Sequence, residues 1–140
     1  MRVLILCTGN SARSQMAEGL LRRDGGPEWQ VFSAGTHPSR VRPEAIQVMR
    51  EVGIDISGHR SKSVDEFGGQ NFDYVITVCD NAKESCPIFP AKTKRIHWSI
   101  QDPAAVQGVD EERLTAFRRA RDELRARLQA FTRSEVENLC

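Results

Sequence analysis

The sequence has 140 residues and a mass of 15.7 kDa, which is the size of one domain with one hydrophobic core. Lys and Arg total 20 and Asp and Glu total 19, so the net charge of +1 argues against a dedicated nucleic-acid-binding protein. Four cysteines are too few for a small domain held together by disulfides, which leaves open whether they pack or react.

Predicted strands and helices alternate along the chain. The apolar run at the N-terminus is typical of a strand that is buried on both faces, and the leucine and phenylalanine stripe near the C-terminus is typical of an amphipathic helix. In chain order, the predicted elements are a strand over Val3–Cys7, a helix that Gly25 to Pro27 end, a strand over Trp29–Ala34, a helix that begins at Pro43, a short helix after Ser63, strands over Phe72–Cys79 and Arg95–Ile100, and a final helix capped by Asp110.

This alternation predicts a single-domain α/β fold over residues 1–133, followed by a short tail over residues 134–140. The domain is expected to hold a four-stranded parallel sheet flanked by helices on both faces. Ligands of such sheets bind at the carboxyl ends of the strands, and Cys7 and Cys79 both stand at predicted carboxyl ends. These two cysteines are therefore the first candidate functional residues.

The N-terminal strand predicts neither a secretory signal nor a membrane anchor. Its apolar run, Val3 to Cys7, lasts five residues, which is too short for the apolar part of a signal peptide. No other stretch approaches the roughly 18–20 apolar residues of a membrane span. We therefore expect a cytoplasmic protein with reduced thiols that binds neither membrane nor nucleic acid.

The segment CTGNSARS joins the first strand to the first helix and predicts an oxyanion-binding loop. Backbone amides of such a loop, with the N-terminus of the following helix, cradle tetrahedral anions, and Arg13 would hold two of the anion's oxygens. The same positive field favours the thiolate of Cys7, and Ser14 would donate a hydrogen bond to its sulfur. The alternative is a buried strand cysteine without chemistry. The candidate oxyanion-binding residues are Thr8, Gly9, Asn10, Ser11, Ala12, Arg13 and Ser14.

Cys79 and Cys86 stand seven residues apart, and the spacing permits more than one interpretation. They would pack under a short helix, or they would react with each other. A zinc site is disfavoured because the sequence has no Cys-x-x-Cys or His-x-x-x-His spacing. Seven residues of regular helix advance about 10.5 Å, whereas a disulfide needs Cα atoms within roughly 7 Å. A disulfide between them would therefore require residues Asn81 to Pro90 to rearrange.

The run CTGNSARSQMAEG resembles the phosphate-loop signature of the low-molecular-weight tyrosine phosphatase superfamily. Within that superfamily the sequence most resembles the thioredoxin-coupled arsenate reductases. The resemblance continues through SAG (Ser33 to Gly35), EVGIDIS (Glu51 to Ser57), DYVITVC (Asp73 to Cys79), the pair Cys86-Pro87 and HW…DPA (His97 to Ala104).

The resemblance implies a catalytic set and a relay of cysteines. Cys7 would attack arsenate, Cys79 would attack Cys7 and release arsenite, and Cys86 would form a disulfide with Cys79 that thioredoxin reduces. Asp102 would be the acid that protonates the departing oxygen, although its place before a proline is also typical of a turn cap. Arsenate or phosphate would be the bound oxyanion.

Two other functions stay open from the sequence. A phosphotyrosine phosphatase would use Cys7, Arg13 and Asp102 through a phosphocysteine, but its family members usually carry aromatic residues after the Asp-Pro pair, where this chain has Ala104-Ala105. A redox sensor that binds an anion without turnover would use the same loop as a switch.

Three departures from the family limit the resemblance. Ala12 replaces a cysteine that many members carry in the loop. Some reductases bind potassium at positions that match Asn10, Glu18 and Ser33, completed by oxygen ligands around residues 60 and 62, where this chain has the cationic Arg60 and Lys62. We therefore predict no metal and no cofactor. Cys140, at the end of the chain, is expected to be a free thiol outside the relay.

Overall fold

The protein is described by a computed structural model that covers residues 1–79 and 92–139. Four strands form one parallel sheet in the order β2-β1-β3-β4. The strands are β1 (Arg2–Cys7), β2 (Gln30–Gly35), β3 (Tyr74–Thr77) and β4 (Lys94–His97). The α-helices in the described ranges are α1 (Arg13–Gly25), α2 (Pro43–Arg50) and α3 (Asp110–Leu139), and short 3-10 turns lie at Val64–Phe67 and Pro103–Ala105. The predicted fold class is confirmed.

Strand β1 is a central strand of the sheet, between β2 and β3. Its apolar run is buried because neighbouring strands cover both of its edges and other elements cover both of its faces. Cys7 pairs with Gly35 of β2, and Leu6 pairs with Thr77 of β3. The carboxyl ends of the three strands therefore meet at one edge of the sheet, where the candidate loop begins.

Aromatic side chains pack on both faces of the sheet. On one face, Phe131 of α3 contacts Tyr74 and Trp29, with ring centroids 4.9 Å and 5.3 Å apart. On the other face, Phe32 contacts Phe67 of the first 3-10 turn, with ring centroids 5.7 Å apart. These ring contacts fasten α3 to one face of the sheet and the first 3-10 turn to the other.

The helices differ from the predictions in detail, since the spacing in the sequence predicts Ile46, Met49 and Val52 as the inward residues of the second helix. Val48 and Met49 are the fully buried apolar side chains of α2 together with Ala45, whereas Ile46 and Val52 are half-buried. Helix α3 continues to Leu139, into the segment that the sequence predicted as a tail.

Parts of the sequence predictions fall outside the structure. Cys86, Cys140 and the segment Asn81 to Pro90 lie outside the described residues. Within residues 1–79 and 92–139, none of the helices is both long and apolar enough to cross a bilayer.

Candidate active site

Cys7 lies at the carboxyl end of β1 with 2% of its surface exposed. Its Sγ atom is 2.8 Å from Oγ of Ser14, in the first turn of α1. The backbone N–H of Asn10 donates a second hydrogen bond to the same sulfur, at 3.2 Å. Two polar contacts therefore converge on this buried sulfur.

The backbone carbonyls of the loop all point away from the space above Cys7. Each carbonyl of residues 7–12 accepts a hydrogen bond of 2.8–3.2 Å from a group outside the loop. The donors, in order, are the N–H of Thr36, His37 and Ser39, Nε2 of Gln15, and the N–H of Arg42 and Met16. Because the C=O and N–H of a trans peptide point in opposite directions, carbonyls held outside direct the loop amides inward.

Inward amides of this kind can cradle a tetrahedral anion, and here they would do so above Cys7. Asn10 has a φ of +46°, a left-handed conformation that asparagine tolerates better than most residues and that turns the chain inside the loop. The segment 36–42 supplies four of the donors that hold the loop, whereas the sequence connects it with the site only through Arg40 and Arg42, whose charges would attract oxyanions. The sequence gives no sign of this structural role, because the donors are backbone N–H groups, which every residue except proline has.

Arg13 closes the loop beside Asp102. The guanidinium donates from one nitrogen to the carbonyl of Ile100 at 2.9 Å, and the other terminal nitrogen lies 3.7 Å from a carboxylate oxygen of Asp102. The other oxygen of Asp102 accepts from the N–H of Ala104 at 2.9 Å, so the aspartate does cap the turn that follows it. One oxygen of the Asp102 carboxyl therefore caps the turn, and the other faces Arg13 of the loop. The side chain is 46% exposed, so solvent reaches it.

Cys79 is a second buried thiol at the same edge of the sheet. Its Sγ atom is 3.2 Å from Oγ1 of Thr8, the residue directly after Cys7. The N–H of Val78 donates to the carbonyl of Leu6 at 2.9 Å, which continues the strand pairing up to the two cysteines. Because Leu6 pairs with Thr77, this register places Cys79 opposite Thr8, one residue beyond Cys7.

The fully buried side chain of Asn10 ties the loop to the protein interior. Its Nδ2 donates to Oγ of Ser14 at 2.8 Å and to Oγ of Ser33 at 3.0 Å. Its Oδ1 accepts from Nε2 of Gln15 and from the backbone N–H of Lys62, both at 3.0 Å. One asparagine thereby links the loop, α1, β2 and the segment around residue 62.

Beneath Asn10 lies a second buried group, the carboxylate of Glu18, which is 3% exposed. It accepts a hydrogen bond of 2.7 Å from Oγ of Ser33. Three basic side chains surround it: Arg22 at 3.1 Å, His59 at 3.3 Å and Lys62 at 3.8 Å. Glu18 thus joins the loop network through Ser33.

Burial lowers the pKa of two of these basic groups. It lowers the pKa of His59 below the usual 6.5; the attraction of Glu18 opposes this change without overcoming it, and repulsion from the cationic Arg22 and Lys62 adds to it. Burial also lowers the pKa of Lys62 from the usual 10.5, again against the attraction of Glu18.

Gly35 is a site residue that only the structure reveals. It pairs with Cys7 across the sheet, and a Cβ atom at its position would lie 2.5 Å from the carbonyl oxygen of Thr8. The sequence identifies Glu18 only as the match to a potassium ligand and does not single out Gln15, because polar positions three apart on a helix normally face solvent. Two family motifs indicate these residues in the sequence. Gln15 and Glu18 lie in the run CTGNSARSQMAEG, and Gly35 ends the run SAG.

The family described as low molecular weight phosphotyrosine protein phosphatase matches residues 2–139 of this chain. An arsenate reductase of Halalkalibacterium halodurans is 46% identical over 129 residues, which cover 92% of this chain and 93% of that protein.

Two solved structures show the same fold. A structure described as an arsenate reductase in the phosphate binding state has a TM-score of 0.76 and 35% identity, and covers 95% of this chain and 97% of that one. A low-molecular-weight protein tyrosine phosphatase from T. tengcongensis has a TM-score of 0.80 and 28% identity, over 96% of this chain and 99% of that one.

Proposed function

This chain belongs to the low molecular weight phosphotyrosine protein phosphatase family and acts as an arsenate reductase, and we propose that it does so through a thiol–disulfide relay of Cys7, Cys79 and Cys86. The observation that carries the relay is a second buried thiol, Cys79, within 3.2 Å of the loop residue next to Cys7. Phosphate-ester hydrolysis needs one nucleophilic thiol. Reduction of arsenate consumes two electrons and therefore needs two thiols.

In the first step, the thiolate of Cys7 attacks arsenic while Arg13 and the inward amides hold the remaining oxygens. A sulfur–arsenic bond forms, and one arsenate oxygen leaves as water. Asp102 supplies the proton for that oxygen, because its carboxyl faces Arg13 at the mouth of the loop. Electrostatic complementarity of the cradle stabilises the charge that develops on the anion.

In the second step, the thiolate of Cys79 attacks the sulfur of Cys7. A sulfur–sulfur bond forms, the sulfur–arsenic bond breaks, and its electron pair stays on arsenic, which leaves as arsenite. The strand register supports this step, since Cys79 stands two residues after Thr77, the partner of Leu6, and therefore lies opposite Thr8, the residue next to Cys7. Disulfide formation requires Cα atoms within roughly 7 Å.

In the third step, the thiolate of Cys86 attacks Cys79 and releases Cys7 as a thiolate. The role of Cys86 rests on its place in the sequence, seven residues after Cys79. An external dithiol then returns two electrons and two protons to the disulfide. We infer that this dithiol is thioredoxin and that the protein works in the cytoplasm, where thiols are kept reduced.

The test couples arsenate to NADPH oxidation through thioredoxin and thioredoxin reductase, with hydrolysis of p-nitrophenyl phosphate measured in parallel. We expect Cys86→Ser and Cys79→Ser to abolish arsenate turnover and to spare hydrolysis, because hydrolysis needs Cys7 alone. Cys7→Ser should abolish both activities. Cys140→Ser is the matched control and should spare both.

The two assays also separate the other functions. Hydrolysis without arsenate turnover in the wild-type protein would identify a phosphatase. At most one equivalent of product would identify a redox sensor. Full arsenate turnover by Cys86→Ser would refute the relay while leaving arsenate reduction in place.

A further inference from the structure

Two cationic side chains, Arg22 and Lys62, lie beside the single carboxylate of Glu18, although one would balance its charge. Arg22, from the next turn of α1, contacts Oε2 of Glu18, the outer oxygen, whereas Oε1, the inner oxygen, accepts from Ser33. Half of the Arg22 side chain is exposed. Lys62 comes from another segment, and its side chain is 14% exposed. Its Nζ atom donates to the carbonyl of Arg60 at 3.3 Å and lies 3.8 Å from the inner oxygen of Glu18.

The residues present do not fit a bound potassium ion. The oxygens that a monovalent cation would use here are the Glu18 carboxylate, Oγ of Ser33, the carbonyl of Arg60 and Oδ1 of Asn10. The last already accepts hydrogen bonds from Nε2 of Gln15 and the N–H of Lys62. Nζ of Lys62 already contacts the Glu18 carboxylate and the carbonyl of Arg60. A potassium ion among them would lie next to an ammonium group of like charge, which would repel it.

The two cationic residues of this segment behave differently. The guanidinium of Arg60 turns to the surface, where it pairs with Glu66 and its side chain is 67% exposed. Lys62 is the residue that points inward. The two charges are equivalent in the sequence, and the fold separates them.

Lys62 is also bonded to the catalytic loop. Its backbone N–H donates to Oδ1 of Asn10 at 3.0 Å, and its carbonyl accepts from the N–H of Gly35 at 2.9 Å. Its side chain faces Glu18, which accepts from Ser33, and Ser33 in turn accepts from Nδ2 of Asn10. The position of Asn10, whose N–H contacts Cys7, therefore depends on Lys62 from two directions.

We propose that Lys62 is a positioning residue whose ammonium group takes the place of a bound monovalent metal ion, so that the loop around Cys7 is held in its binding geometry without potassium. The ammonium is tethered by its own chain, so it occupies the site at any salt composition. The kinetic part of this proposal rests on the proposed arsenate reductase activity, whereas its stability part does not.

The experiment compares potassium chloride with choline chloride at equal ionic strength. For wild-type protein, the thermal melting temperature, kcat and KM for arsenate, and the rate of p-nitrophenyl phosphate hydrolysis should be the same in both salts. Lys62→Asp replaces the ammonium by an oxygen ligand. It should lose activity in choline chloride and recover at least about fivefold in potassium chloride, mainly in kcat, with a rise in melting temperature.

Arg60→Asp is the matched control, because it makes the same charge change two residues away on the surface. It should show no response that is specific to potassium. A role of Lys62 in packing alone would lower stability equally in both salts. If Lys62→Asp does not fold in either salt, Lys62→Met, which keeps the apolar stem, is measured; it should show reduced kcat in both salts.

Several results would overturn the proposal. They are a potassium response of the wild-type protein, a Lys62→Asp protein that responds no more than Arg60→Asp, and a Lys62→Met protein with wild-type kcat. Absence of arsenate turnover in every salt would refute the proposed function instead. The melting temperatures and hydrolysis rates would then still decide the role of Lys62.

Discussion

Replacement of Gly35 by alanine is expected to disturb the oxyanion loop without removing any group that contacts substrate. Gly35 ends β2 directly beside Cys7, and hydrogen bonds hold the backbone here on two sides, through the carbonyl of Lys62 and through the pairing with β1. The added Cβ atom would lie 2.5 Å from the carbonyl oxygen of Thr8 and 2.9 Å from the backbone nitrogen of Asn10. Both are backbone atoms, so no side-chain rotation relieves the clash.

The size of the effect follows from these distances. Carbon–oxygen contacts shorter than about 3.0–3.4 Å are rare in packed proteins, so the Thr8 carbonyl must retreat by roughly 0.5–0.9 Å. A misplacement of about 1 Å in a catalytic geometry lowers rates by about 10²-fold, and overpacking costs about 1–3 kcal/mol of stability. We therefore expect Gly35→Ala to lower kcat/KM for arsenate by about 10- to 100-fold and the free energy of unfolding by about 1–3 kcal/mol.

The measurement combines steady-state arsenate kinetics with urea denaturation under reducing conditions. Gly58→Ala is the matched control, because Gly58 is exposed and a Cβ there would meet no atom within 4 Å. The control should keep wild-type activity. If Gly35→Ala retained kcat/KM within about threefold of wild type, the loop would be more compliant than the packing argument assumes.

Three further results are expected. Asp102→Asn should lower kcat for arsenate by about 10²- to 10⁴-fold in steady-state kinetics, with little change in inhibition by phosphate; comparable loss of phosphate affinity would contradict its role as the acid. In urea denaturation, Asn10→Gly should be about 1–2 kcal/mol more stable than Asn10→Ala, because alanine pays for the left-handed backbone at this position; equal stability would contradict the backbone argument. The pKa of His59 is lowered on folding, so its contribution to stability is present above pH 6.5 and is lost as the pH falls below it. Urea midpoints should show that His59→Gln reduces this acid sensitivity, whereas the exposed His37→Gln does not, and equal sensitivity of the two variants would refute the assignment.

Sequence patterns predicted the elements that local chemistry specifies. The unbroken apolar run of β1 predicts a buried central strand, because a strand with one solvent face would alternate apolar and polar residues. The glycine, asparagine and serine between that strand and α1 predict a loop of unusual backbone conformation, and Asn10 has that conformation. Asp102 before Pro103 predicts the turn cap that the structure shows.

The candidate site was predictable only in part. Cys7, Ser14 and Arg13 are close in sequence, so a strand–loop–helix pattern is enough to place them together. Cys79 is distant in sequence, and its approach to Thr8 depends on β1 and β3 being neighbours in the sheet. Strand order is a property of the whole packed domain, and the alternation of elements does not specify it.

The contacts of the polar interior below the loop could not be predicted from the sequence, although the family resemblance groups Asn10, Glu18 and Ser33. Gln15 and Glu18 stand on α1 at a spacing typical of a solvent-facing stripe, yet both are buried against Asn10, Ser33 and Lys62. The sequence of a helix predicts which of its faces is apolar. Whether a charged residue on that helix is buried depends on the partners that other segments of the chain supply. The nucleophile and its loop can therefore be predicted from the sequence. The hydrogen-bond network that holds them can be identified only in the folded structure, because its members come from distant segments of the chain.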